Sequence, residues 1–172
     1  MKDVSSRNFD SISPTAHIAA YLRSFYDTEG SYGKMLVDSA GSKKIFASLG
    51  GKSTEEEFAL FLATRYEIIS REIFKRGYKN ILEIAGGLSA RGLDSVQRDS
   101  DIVYIESDLP EVLEEKKRLV GIIASARMKG DRDFERNLLR YILRALNVMD
   151  TDALNVIVSL FPEGKIAVIT EG

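Results

Sequence analysis

Two adjacent glycines, Gly86 and Gly87, close the apolar run of "NILEIAGGLSARG" (residues 80–92). A chain that passes from branched side chains to bare backbone suits a strand ending where something must come close, with amide donors at the start of a following helix. Farther on, "DIVYIESDLPE" carries Asp108, a carboxylate roughly 20 residues past the glycines, where nucleotide-binding sheets commonly hold a ribose diol. A third group precedes both: counted at about 100° per residue, Arg65 falls within the apolar stripe of Phe58, Phe61, Leu62, Ile69 and Ile73, so its cation is aimed inward and needs a partner. Glycine amides followed by an acid at this separation point to a nucleoside-containing ligand.

Each of these residues also has a plain structural reading. A glycine pair makes a tight strand-to-helix turn, and the spacing here is not G-x-G-x-x-G. In "DLPE", Asp108 can cap a helix with Glu111 at the third position of a capping box. Arg65 can snorkel from a helix edge. The lone histidine, His17, reads as an ordinary helix residue, and "EEKKR" (residues 114–118) as a solvated face.

The elements that must position these groups alternate. "SPTAHIAAYLRSFY" reads as an amphipathic helix capped by Ser13, with Pro14 in the first helical position and Ile18, Leu22 and Phe25 on one face. Residues 27–52 are glycine-rich, with short helices and turns. "STEEEFALFLATRYEIISREIFKRG" has the marks of a long helix: Ser53 as cap, Glu56 as capping-box partner, Lys75 and Arg76 in the last turn, and Gly77 beyond. Strands follow at "KNILEIA", "DIVYIES", "RYILRAL" and "KIAVIT", separated by helices near residues 90–96, 110–127 and over "TDALNVIVSLF". The unbroken apolar runs predict strands buried on both faces in a parallel sheet, hence the α/β class. Ligands of such sheets lie beyond the carboxyl ends of the strands, here Ala85-Gly86-Gly87, Glu106-Ser107-Asp108, Asn147-Val148 and Glu171.

Composition narrows the chemistry. With 172 residues, 44% of them hydrophobic, the chain can bury a core of its own. The 24 basic and 26 acidic residues are interspersed, which argues against a nucleic-acid partner. No cysteine is present and there is one histidine, so thiolate chemistry is excluded and histidine metal clusters are disfavoured. No apolar run approaches a membrane span and the N-terminus lacks a signal-peptide core, so no membrane partner and a cytoplasmic location are expected.

Taken together, "SPTAHIAAYLRSF", Arg65, "LEIAGGL", "YIESDLPEVLEEKKRLV", "ALNVMD" and "VITEG" occur in the order and spacing of one family. Over nearly its whole length the chain resembles the S-adenosylmethionine-dependent O-methyltransferases of the leucine carboxyl methyltransferase type, a class I group that includes polyketide-linked enzymes. The D-L-P with a lysine a few residues on is the most specific part. The resemblance implies S-adenosyl-L-methionine as cofactor. Arg65 would hold its methionine carboxylate, Ala85, Gly86 and Gly87 would stand for the glycine motif, and Asp108 would bind the ribose. Asn147 and Val148 would lie beside the adenine, and Glu171 would be the acid of the "EG" motif. Two positions depart from the family pattern. Ala85 replaces the first glycine and therefore requires a negative φ, and Asn147 replaces an acid.

The resemblance further implies a Rossmann-like class I methyltransferase sheet, mostly parallel and incomplete at about four strands. Residues 1–52 form an N-terminal helical cap and residues 53–172 the incomplete cofactor-binding domain. The family continues past "TEG" with more strands that shape the acceptor pocket, so "KIAVIT" is expected as an open edge through which copies pair as a homo-oligomer. The acceptor would be a carboxylate or hydroxyl of a small molecule or peptide; no catalytic residue is assigned. Two other functions stay open: a catalytically silent cofactor-binding or interaction module, and half of a nicotinamide-dependent oxidoreductase.

Overall fold

The structure, a computed structural model, describes residues 12–27, 31–48, 56–127 and 131–170, with side chains from residue 14 onward. Helix α1 (Ile12–Arg23) runs into a 3₁₀ turn (Ser24–Tyr26) and is followed by α2 (Tyr32–Ala40), α3 (Ser42–Ser48) and the long α4 (Glu56–Arg76). Then β1 (Asn80–Ile84), α5 (Arg91–Arg98), β2 (Val103–Asp108), α6 (Pro110–Arg127), α7 (Arg132–Leu138), β3 (Tyr141–Ala145), α8 (Thr151–Val158) and β4 (Ile166–Thr170) alternate. The four strands form one all-parallel sheet in the order β3-β2-β1-β4, so the chain is an α/β protein with a Rossmann-like sheet and an N-terminal helical portion.

That order follows from the hand of parallel crossovers. Steps from β1 to β2 to β3 run one way along the sheet and put their helices on one face; the return from β3 past β1 to β4 puts its helix on the other. The side chains agree. Ile81 and Tyr104 pack with Leu93 of α5 and Leu119 of α6, whereas the alternate residues Leu82 and Ile105 pack with Ile157 of α8. The sequence direction reverses beside β1, which makes the carboxyl end of β1 the topological switch point.

Several expectations need correction. Helix α1 begins at Ile12, so Ser13 lies inside it rather than capping it, and Phe25 sits in the 3₁₀ turn, 43% exposed, off the helical face that buries Leu22. The Ser53 cap lies outside the described residues. On α4 the buried residues are Ala59, Leu62 and Ile73, while Phe58 and Phe61 stack on one another in solvent (centroids 6.4 Å apart). The packed stripe is thus centred about 90° from Arg65 rather than on it, because α1 covers only one flank of α4. Helix α7, capped by Asp131 through the Phe134 amide, has no periodicity long enough to announce it. Strand β4 was expected to be buried on both faces; it pairs with β1 and buries Ile169, but Val168 is 61% exposed because α8 leaves that end of the sheet face open. His17 is a buried tie between α1 and α3, with its Nδ1 3.0 Å from Ser42 Oγ.

Candidate functional site

The turn after β1 is held from below and from both sides. Ala85 continues the ladder through its amide to Ser107 O (2.8 Å) yet has φ +57°, the left-handed region, contrary to the negative φ that an alanine requires. The residue is exposed. Ala85→Gly is therefore expected to stabilise the fold by about 1 kcal/mol, read as a raised urea midpoint with unchanged slope. Gly87 shares the conformation (φ +57°), with Ala16 of α1 3.5 Å from where a Cβ would stand.

Gly86 is bare for a different reason. A Cβ there would lie 2.6 Å from Glu106 Oε1, so the side chain that sits against this glycine is a buried carboxylate of β2. Glu106 and Glu83 are register partners on adjacent strands and both point under the turn. Each has its own cation: Arg91, the first residue of α5, pairs with Glu83, and Lys116 of α6 pairs with Glu106. All four side chains are buried, Lys116 and Glu106 completely.

Charges so placed lose several kcal/mol of hydration each, and hydrogen bonds must make up the difference. Tyr104 Oη donates to Glu83 Oε2 (2.7 Å), and Tyr141 Oη donates to Glu106 Oε2 (2.6 Å). Burial pushes both phenols well above their ordinary pKa, which keeps them protonated as donors. Arg91 Nε donates to Ser70 Oγ (3.0 Å), and its guanidinium lies 4.1 Å from the Tyr66 ring centroid. Lys116 Nζ also donates to Ser89 O, so one ammonium ties α6 both to the strand acid and to the turn. Burial raises the Glu106 carboxyl to about 7, with the Lys116 charge pulling the other way. Two expectations change here: Lys116 lies in "EEKKR", expected as a solvated face, yet is completely buried, and Glu106, expected beyond its strand, lies inside it. The available signal was an acid inside each of the first two apolar strands, Glu83 and Glu106, with a cation in the helix that follows, Arg91 and Lys116.

Asp108 closes the outer side of the turn. Its Oδ2 accepts from Gly87 N (2.8 Å) and its Oδ1 from Leu109 N (2.7 Å). It is the last residue of β2, one position ahead of Leu109, and it bridges two strand ends instead of capping α6 through a capping box. Asn147 and Val148 follow β3 in an exposed turn, where Asn147 Oδ1 accepts from Met149 N (3.1 Å); the amide of Leu146 binds Asp108 O (3.0 Å), placing this turn beside the end of β2. The Arg65 guanidinium lies over the Phe61 ring (5.6 Å to its centroid) and its Nε is buried. Glu171 lies outside the described residues. The structure thus joins Gly87 to Asp108, sets Asn147 alongside, and gives Arg65 a neighbour on its own helix.

No protein-family model matches the chain, and no curated protein matches it as a relative. What fold and turn define is a class: a Rossmann-like α/β protein whose glycine turn and strand-end acid meet at the switch point of its sheet. Among the described residues no helix is long and apolar enough to cross a membrane.

Proposed function

We propose that the chain is the cofactor-binding portion of an S-adenosylmethionine-dependent O-methyltransferase, acting on a carboxylate or hydroxyl of a small-molecule or peptide acceptor. The observation that carries this reading is the Gly87–Asp108 bridge at the carboxyl ends of β1 and β2. It sets a carboxylate with lone pairs to spare beside glycine backbone, where a ribose diol could be accepted. The groups present suit the cofactor: Asp108 would take the ribose hydroxyls, the 85–87 backbone would lie along the methionine portion, Asn147 and Val148 would flank the base, and Arg65 and Glu171 would complete its binding. When bound, the cofactor supplies an electrophilic methyl on a sulfonium. The chain's own contribution is alignment and exclusion of water, with no proton to move if the acceptor is already a carboxylate.

Calorimetric titration tests the reading. S-adenosylhomocysteine is expected to bind, and Asp108→Asn to weaken binding about tenfold for loss of a charge-assisted pair of hydrogen bonds. Heat with NAD and none with S-adenosylhomocysteine would turn the assignment to an oxidoreductase half.

A second reading has one observation in its favour. The turn already satisfies itself, with Gly87 N on Asp108 and Arg91 N on Ser89 Oγ (3.1 Å), as a silent binding module would. Transfer of labelled methyl to any acceptor rules that reading out. In either case the outer edge of β4, with Val168 exposed, is the surface through which copies would pair; a molecular mass by light scattering that stays monomeric up to high micromolar concentration would remove this expectation.

A further inference from the structure

On the far side of the glycine turn, α1 with its 3₁₀ turn, α2, α4 and the start of α5 enclose a cleft of about 580 Å³. That is within the range of small-molecule sites. Much of its wall is hydrocarbon, from Ala20, Val37, Ala63, Ile68 and Leu88. Of the three carboxylates in its wall, Glu67 of α4 has Arg71 of the same helix as an opposite charge; the other two come from different elements, Asp27 after the 3₁₀ turn and Asp94 on α5. Room for Asp27 is built in, since a Cβ at Gly33 would collide with its carboxylate. Among the described residues neither acid accepts a side-chain hydrogen bond or forms an ion pair, in contrast to the fully matched acids under the turn.

We propose that this cleft binds an organic cation, a protonated amine on an apolar body, with the amine held by Asp94 and Asp27 and the body against the hydrocarbon wall.

The surrounding charges set the sign. From α1 Arg23 faces Asp27, and from α2 Lys34 acts on it, so Asp27 is partly countered. Arg23 also lies over the Tyr66 ring (5.4 Å to its centroid). Glu67 and Arg71 of α4 oppose one another in charge among the lining residues, and Tyr32 of α2 feels Asp94 as a nearby negative charge. Asp94 itself has no cation assigned to it: the protein mass around it and the Asp27 charge raise its carboxyl to about 7, although its side chain still meets water through the mouth of the cleft. A ligand cation counters the Asp27 charge and favours the ionised carboxylate. An anion of the same shape would add to that charge.

The proposal does not rest on the cofactor reading, because the cleft adjoins the turn through Leu88 and Ala90 and not through Asp108. Its test is an NMR titration of the full chain with 2-phenylethylamine at pH 8. Saturable shifts are expected at the Leu88, Asp94 and Asp27 amides. Affinity should fall about tenfold in Asp94→Asn and less in Asp27→Asn. It should also weaken from pH 8 to pH 6, as Asp94 takes up a proton and loses the charge that the amine needs. Phenylacetate should not saturate. Absence of saturation by the amine, equal binding by Asp94→Asn with a native spectrum, or equal binding of phenylacetate would each overturn the proposal. Separate titration with S-adenosylhomocysteine keeps a failure here distinct from a failure of the methyltransferase reading.

Discussion

Lys116→Met is expected to cost about 3–5 kcal/mol, the largest effect of any substitution of a single side chain considered for this protein. Methionine matches the stem of lysine and keeps the packing of α6 on the sheet, so what is lost is the ammonium between Glu106 and Ser89 O. Glu106 is then left completely buried with Tyr141 Oη as its remaining side-chain donor. Against a domain stability of about 5–15 kcal/mol, a loss of that size is readily seen in urea unfolding. The pH dependence identifies the cause. Without the lysine charge the folded-state pKa of Glu106 moves further above its unfolded value, so the fold keeps its stability at low pH and loses it as pH rises through the folded value. The deficit should therefore be larger at pH 8 than at pH 5, and Lys116→Met/Glu106→Gln should recover a substantial part of it. A deficit independent of pH would mean that packing, not charge, sets the cost.

Gly86→Ala is expected to destabilise by about 1–3 kcal/mol, the range for forcing a methyl into a filled interior. The added carbon meets Glu106 Oε1 at 2.6 Å and Cδ at 2.8 Å. This carboxylate cannot swing aside, because Lys116 and Tyr141 hold both its oxygens. Gly87→Ala makes the useful comparison: its nearest obstacle is 3.5 Å away, so its cost comes from the positive φ alone. If bare backbone at position 86 served only a ligand, Gly86→Ala would weaken S-adenosylhomocysteine binding and leave the melting temperature alone. A lowered melting temperature in the absence of any ligand shows instead that the glycine answers to Glu106.

Much of the fold was legible because its signals are local. Apolar runs with turn residues marked all four strands to within two residues at each end, and Pro110 marked the start of α6. The parallel direction of the strands could be argued from the alternation, since parallel strands need crossovers. Less of the site was legible. Asp108 and Gly87 stood out by type and separation, but their 2.8 Å hydrogen bond to one another is a contact between residues 21 apart that depends on the sheet register. Arg65 looked inward because Phe58 and Phe61 look like core residues. They are 52% and 56% exposed, since hydrophobic type alone does not say which flank of a helix finds a neighbour.

By itself the sequence determined the class of fold, the alternation of its elements and the point where backbone must come close to something, because these depend on periodicity and on the conformational limits of single residues. Only the tertiary structure decided what that something is on the inner side of the turn. Glu83 and Glu106 are acids in apolar strands whose partners, Arg91 and Lys116, lie 8 and 10 residues away and come from the start of one helix and the buried face of another. A buried charge is stable only where a cation and hydroxyl donors converge on it, and convergence is a property of the packed sheet and helices that no local spacing encodes.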